Sequence, residues 1–187
     1  MQFKDDQLVK EIISGSKTSL DTLVNRYYEV IYSYSMRQVN NQHLSADLTQ
    51  EVFIKMMKNI DKYRLGTNSF KYWLLKIALN HIRDYFRAEK SSRNINIEDL
   101  DCLSDYDSDN ILDILEKDEK RTSVKKALNS LKEEEREIVI LKYYNEMTIK
   151  EIGSLIGAKE STIKSKLYRA LEKLRKKLKG GDKDEEF

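Results

Sequence analysis

This 187-residue chain has no proline, only six glycines and a single cysteine. Lacking proline and short of glycine, it has few of the residues that close tight turns. That argues against a β fold built on many hairpins and suits long helices. One cysteine, Cys102, excludes an internal disulfide and permits a reducing compartment. No apolar run approaches the roughly 18 residues of a membrane span, and Met1–Lys10 is too polar for a signal peptide. The protein is therefore expected in the cytoplasm. Its two histidines, His43 and His81, are isolated, and Cys102 lies in an acidic stretch, so no metal-ligand or nucleophile spacing appears. No catalytic residue, metal or cofactor is expected.

Charge, by contrast, is plentiful. The 34 basic and 32 acidic residues leave a formal net charge of +2, so any nucleic-acid surface has to be local. The charges are segregated. A basic run lies near Arg83 to Arg93, a basic helix closes the chain, and an acidic stretch separates them.

The most informative stretch is Thr148 to Leu178. Ile149, Ile152, Leu155 and Ile156 recur at helical spacing and share one face. Thr148 with Glu151 forms a capping-box start, and Gly157 stands where a turn needs positive φ. A second helix then buries Ile163, Leu167, Ala170 or Leu171, Leu174 and Leu178. Its free side carries Thr162, Ser165, Lys166 and Arg169, flanked by Ser161 and Lys164. Two short helices joined by a glycine turn, the second one basic, have the pattern of a DNA-reading helix-turn-helix. An ordinary helical hairpin with a solvated face has the same periodicity.

Upstream, the spacing predicts four helices. The first starts at Asp5 or Asp6, buries Leu8, Val9, Ile12 and Ile13, and ends at Gly15. The second runs from about Ser19 to Val39 with Leu20, Leu23, Tyr27, Val30 or Ile31, and Tyr34 inward. After a turn at Asn40-Asn41, Ser45 is the expected cap of a third, Ala46 to about Ile60, burying Leu48, Val52, Phe53, Met56 and Met57. Asp47, Gln50 and Glu51 cluster on its outer side. They fit either an acidic first turn near the positive helix end or a docking patch.

Tyr63–Ser69 reads as a loop. A fourth helix, Phe70 to about Ala88, buries Phe70, Trp73, Leu74, Ile77 and Ala78 and shows Lys76, Asn80, Arg83 and Arg87 on the opposite stripe. Lysine and arginine neutralise phosphates, and asparagine can contact a base edge. Tyr63, Phe70, Trp73, Tyr85 and Phe86 are mostly core, with some able to stack on unpaired bases. Residues 91–108 form an acidic linker able to span on the order of 50 Å at about 3.3–3.6 Å per residue. Helical spacing resumes at Asp109 with Ile111, Ile114, Leu115, Val124, Leu128 and Leu131, then again over Glu133–Tyr144 with Ile138, Val139 and Leu141. The expected architecture is all-α, with domains over 1–90 and 109–179, the helix-turn-helix at about 148–170, and a tail from 180.

Two stretches together resemble one family. DLTQEVFIKMMKNIDKY from Asp47 and SFKYWLLKIALNHIRDYFR from Ser69 resemble the second region of bacterial sigma factors. ALNSLKEEEREIVILKYYNEMTIKEIGSLIGAKESTIKSKLYRALEKL from Ala127 is similar to their fourth. Without the intervening regions, the chain resembles the short, two-domain extracytoplasmic-function (ECF) group. The resemblance implies binding to core RNA polymerase, at its clamp coiled coil and flap, and to promoter DNA. Asp47, Gln50 and Glu51 would grip the clamp coiled coil. The loop to Ser69 and the stripe Lys76, Asn80, Arg83, Arg87 would open the −10 element and hold its non-template strand. Ser161, Thr162, Lys164, Ser165, Lys166 and Arg169 would read the −35 element. The acidic linker would thread toward the active-site cleft and RNA exit path. An anti-sigma partner, often membrane-anchored in this family, is implied as well. The chain departs from the family at Lys132 (usually proline), Lys159 (a poor cap) and Gly153. Gly153 replaces the usual alanine and is expected to loosen its helix by about 1 kcal/mol.

A stand-alone helix-turn-helix regulator is the main rival, predicting a palindromic site and no affinity for polymerase. A helical adaptor that avoids nucleic acid would leave both basic stripes unexplained.

Overall fold

A computed structural model describes residues 5–66, 69–93 and 115–180. Within these the secondary structure is helical, and the chain divides into two compact units. The acidic linker expected over 91–108 lies outside the described residues except for Ser91–Arg93, which belong to a helix. Ile111 and Ile114 also lie outside them.

The first unit holds α1 (Asp5–Ile13), α2 (Lys17–Val39), α3 (Gln42–Asn59), a 3-10 turn (Ile60–Lys62) and α4 (Phe70–Arg93). Ser16 caps α2, its Oγ accepting from the Ser19 N–H at 3.3 Å, so that helix starts slightly before Ser19. One asparagine closes α2 and the next opens α3. Asn40 takes a left-handed φ of 52°, and the Asn41 side chain accepts from the Leu44 N–H at 2.9 Å. This corrects the assignment of Ser45 as the cap. Ser45 is buried inside α3, and its hydroxyl donates back to the Asn41 carbonyl. An amide oxygen one residue past a closed helix is better placed to take the orphan N–H groups than a hydroxyl four residues later.

The core of this unit is Leu8 and Val9 of α1, Leu23, Tyr27, Ile31 and Tyr34 of α2, Leu48, Val52, Phe53 and Met56 of α3, and Phe70, Leu74, Leu75, Ala78, Leu79 and Ile82 of α4. Helical spacing located these faces, but packing chose their edges. Ile31 is buried and Val30 half-buried, while Ile13 and Met57, expected inside, are 54% and 43% exposed. On α4 the inner face is turned toward Leu75, Leu79 and Ile82, leaving Trp73 and Ile77 half-buried. The helix also runs past Ala88 to Arg93.

The second unit comprises α5 (Leu115–Asn129), α6 (Glu133–Tyr143), α7 (Ile149–Ile156) and α8 (Glu160–Gly180). Leu128, Leu131, Val139 and Ala170 form a core cluster lined by Leu167 and Leu174, and Ile138, Ile140, Leu141, Ile152 and Ile163 are buried too. Val124 and Leu178, both expected inside, are 37% and 39% exposed. Lys132 precedes α6 with no side-chain cap. Its backbone N–H instead donates to the Glu135 carboxylate at 3.4 Å, half of a capping box.

Gly153 overturns the expectation drawn for it. A Cβ there would sit 2.8 Å from the Ala158 carbonyl oxygen, because the turn that follows α7 folds back against it. The Gly153 carbonyl accepts from both Gly157 and Ala158 N–H groups, each at 2.9 Å. The residue therefore permits the turn rather than loosening the helix.

Candidate nucleic-acid interface

The helix-turn-helix is built by its local chemistry. Thr148 Oγ1 accepts the Glu151 N–H at 3.2 Å, and the Thr148 N–H donates to Glu151 Oε2 at 2.7 Å, so both halves of the capping box form. Gly157 at φ 77° ends α7. Ile163 and Ala170 pin α8 inward, and Ser161, Thr162, Lys164, Ser165 and Arg169 are left exposed on its outer side. Ser165 Oγ donates to the Thr162 carbonyl at 3.0 Å.

Lys166 differs from its neighbours. It is half-buried and paired with Glu134 of α6, so its charge is already partly neutralised within the unit. Seven residues on, Lys173 Nζ donates to both Glu135 oxygens at 2.8 and 2.7 Å, and Glu135 is 8% exposed. Two carboxylates of α6 thus hold α8 along its length. Sequence spacing could not reveal them, since the partners are 32 and 38 residues apart. Reading the sequence also missed Tyr168. At 73% exposure it stands on the outer side of α8 beside Arg169.

In the first unit, α4 turns Lys76, Asn80 and Arg87 outward, with Arg83 half-buried, on the side away from Leu75, Leu79 and Ile82. Arg87 is paired with Asp84 at 2.8 Å, both largely exposed, a contact of small energetic weight. Ser69 sits at the start of α4. Its Oγ accepts the Tyr72 N–H at 3.2 Å and its carbonyl accepts the Trp73 N–H at 3.2 Å, so it acts as the helix cap. Thr67 and Asn68 of the loop before it lie outside the described residues. Tyr63, Phe70 and Trp73 form a cluster with ring centroids 5.4–5.5 Å apart, and Tyr27 joins Phe70 at 5.3 Å. Tyr63 and Phe70 are buried, so Trp73 is the member of this group with an open side.

Asp47, Gln50 and Glu51 are all exposed on α3. Glu51 also reaches His81 of α4. Its carboxylate lies 3.0 Å from His81 Nε2, off the line of a good hydrogen bond, and Lys55 Nζ donates to Nδ1 at 2.6 Å. An Nδ1 that accepts from a lysine leaves the ring proton on Nε2, facing Glu51. Burial, then the Lys55 charge, holds the His81 pKa below its ordinary 6.5, against the opposing pull of Glu51 and Asp84.

Among the described residues no cluster of metal ligands occurs and no helix is long and apolar enough to cross a membrane. Two all-helical units, one carrying a basic stripe on α4 and the other a basic helix-turn-helix, have the make-up of a nucleic-acid-binding protein. Residues 23–92 match the sigma-70 region 2 family and residues 121–174 match sigma-70 region 4. The chain belongs to the sigma-70 family as an ECF sigma factor, the class that directs RNA polymerase to promoters. It is 27% identical over 186 residues to the ECF RNA polymerase sigma factor SigW of Bacillus subtilis, covering 96% of this chain and 99% of that one. With the ECF RNA polymerase sigma factor SigE of Mycolicibacterium smegmatis it shares 32% over 158 residues, 84% of this chain and 60% of the other. Its fold is similar to the sigma factor RpoE of Bartonella quintana, solved in complex with the anti-sigma factor NepR. There the TM-score is 0.65 at 23% identity, with 85% of this chain and 96% of that chain covered.

Proposed function

We propose a division of labour between the two units. On α3, Asp47, Gln50 and Glu51 dock on the clamp coiled coil of core polymerase, and the second unit engages the flap. Ser69, Lys76, Asn80, Arg83 and Arg87 hold the opened −10 non-template strand. Ser161, Thr162, Lys164, Ser165, Lys166 and Arg169 read the −35 duplex, with Tyr168 as an added contact. The observation that carries this reading is the pair of basic faces on separate units, each exposed opposite its own core.

Neither face is strong enough alone. A few phosphate contacts bind weakly at physiological salt, and extruding a base costs a few kcal/mol against about 1–3 kcal/mol of stacking per base. Core polymerase supplies the spacing, and affinity comes from joint engagement. Acting with RNA polymerase at promoters, the protein would work in the cytoplasm. An anti-sigma protein that covers the α3 patch would silence it by removing the polymerase contact.

The test is run-off transcription with core polymerase, comparing wild type with Arg83→Ala, Arg87→Ala and Arg169→Ala. Each variant is expected to lose output. Equal output from all four would refute the assignment of the stripes, and tight sequence-specific binding of a promoter duplex by the free chain would refute the division of labour.

A further inference from the structure

Helix α1 lies before the matched region, which begins at residue 23, and its first turn does something its packing does not require. Asp6 Oδ1 accepts the Tyr63 hydroxyl at 2.9 Å, and Asp6 Oδ2 accepts the Gly66 backbone N–H at 3.0 Å. One carboxylate thus ties two points of the chain three residues apart, 57 and 60 positions away in sequence. Next to it Asp5 takes the Arg26 guanidinium at 2.5 Å and the Tyr27 hydroxyl at 2.6 Å. Both tyrosines lean on Phe70, the first residue of α4, and Tyr63 also contacts Trp73. Each tyrosine's pKa is pushed above its ordinary value, first by burial and then by the hydrogen bond to its aspartate, so both remain donors at neutral pH.

This network differs from ordinary packing. Leu8 and Val9, at 2% and 0% exposure, already fasten α1 to the unit. The carboxylates are only partly buried and reach instead to the segment leading into α4. Gly66 has a left-handed φ of 73° and no side chain, so only its backbone can fix its direction, and Asp6 holds that N–H. A two-point, charge-assisted anchor thus fixes the Tyr63 hydroxyl and the Gly66 N–H relative to α1.

We infer that Asp6 is a positioning residue for promoter opening, holding Tyr63–Gly66 and the Tyr63–Phe70–Trp73 cluster in the arrangement that receives the unpaired −10 strand. This rests on the assignment of the α4 stripe to the −10 element. Asp6 does not touch DNA, and as an anion it would repel phosphate. It lowers the ordering cost that strand capture would otherwise meet.

The experiment uses holoenzyme assembled from core polymerase and the full chain, with a fluorescent single-stranded −10 oligonucleotide and a matching promoter. Asp6→Ala is expected to weaken oligonucleotide capture by about tenfold, the scale of a lost charge-assisted hydrogen bond. Core affinity should hold. On a promoter already unpaired at −10, transcription should suffer less than on the duplex. Asp6→Glu should recover part of the loss. Tyr63→Phe removes one donor while keeping the ring, so it gives a smaller loss and serves if Asp6→Ala folds poorly. Unchanged capture in both variants overturns the inference. So does a loss of capture matched by equal losses of core affinity and thermal stability, since that marks a merely structural role. Arg83→Ala, run in parallel, separates the layers. If it too leaves capture intact, the −10 assignment itself is wrong.

Discussion

Replacing Gly153 with alanine sets two physical effects of opposite sign against each other. Intrinsic propensity favours alanine over glycine inside a helix by about 0.8–1 kcal/mol. On that ground alone Gly153→Ala would stabilise α7. The structure opposes it, because the new Cβ would meet the Ala158 carbonyl oxygen at 2.8 Å, where real Cβ atoms essentially never sit. The obstacle is backbone, so relief requires moving the turn that carries Ala158. That turn is held by two N–H bonds to the Gly153 carbonyl at 2.9 Å and by Gly157 at φ 77°. Overpacking of this kind costs roughly 1–3 kcal/mol, and opening one hydrogen bond adds about 1 kcal/mol. The net expectation is destabilisation by about 1–3 kcal/mol. At about 4–8 °C per kcal/mol for a unit of this size, Tm should fall by roughly 5–20 °C. Thermal unfolding of the full chain, followed by circular dichroism or calorimetry, measures the transition of the second unit. Because α8 must tilt, output from a −35-dependent promoter should drop as well. A rise in Tm of a few degrees would refute the reasoning and return the site to propensity alone.

Three further outcomes follow from the charges. His81 protonates less readily folded than unfolded, so the unfolded state binds more protons as pH falls through 6.5, and stability should decline from pH 7 downward until the folded histidine also titrates. Urea unfolding at several pH values should show this slope, and His81→Gln should flatten it; an unchanged slope would place the effect elsewhere. Lys173→Ala leaves Glu135, 8% exposed, without its main cation and should cost about 1–3 kcal/mol, whereas the double change Lys173→Met with Glu135→Leu should cost less. Chemical denaturation decides between them, and equal losses would mean the pair is not the reason. If α8 reads the −35 element as proposed, Glu134→Gln frees Lys166 and removes an anion beside it, so holoenzyme should bind a −35 duplex several-fold tighter with a steeper salt dependence. Weaker binding would mean that the pair holds Lys166 in its working position.

Helical spacing and turn chemistry made most of the fold legible in the sequence. Thr148 with Glu151, Gly157, the Asn40-Asn41 turn and the inward stripe of α2 all depend on residues within a few positions of one another, where local geometry alone decides the outcome. The order of the two motifs sufficed to identify the family for the same reason: each motif is a local pattern. Where the local signal was degenerate, the sequence could not choose. Ser45 and Asn41 are both competent caps, Val30 and Ile31 both lie at the edge of one stripe, and Met57 and Val124 have helical spacing but face outward.

What the chain alone determined, then, was its helices, the general direction of their inner faces and the family to which the two motifs belong. Tertiary structure decided the rest: that the turn at Ala158 closes against Gly153, that Glu134 and Glu135 hold α8, that His81 sits between Lys55 and Glu51, and that Asp6 reaches Gly66. Each of these joins positions that are distant in sequence or depends on how closely two backbones approach. Periodicity records the direction a side chain takes from its own helix and carries no information about what it meets there.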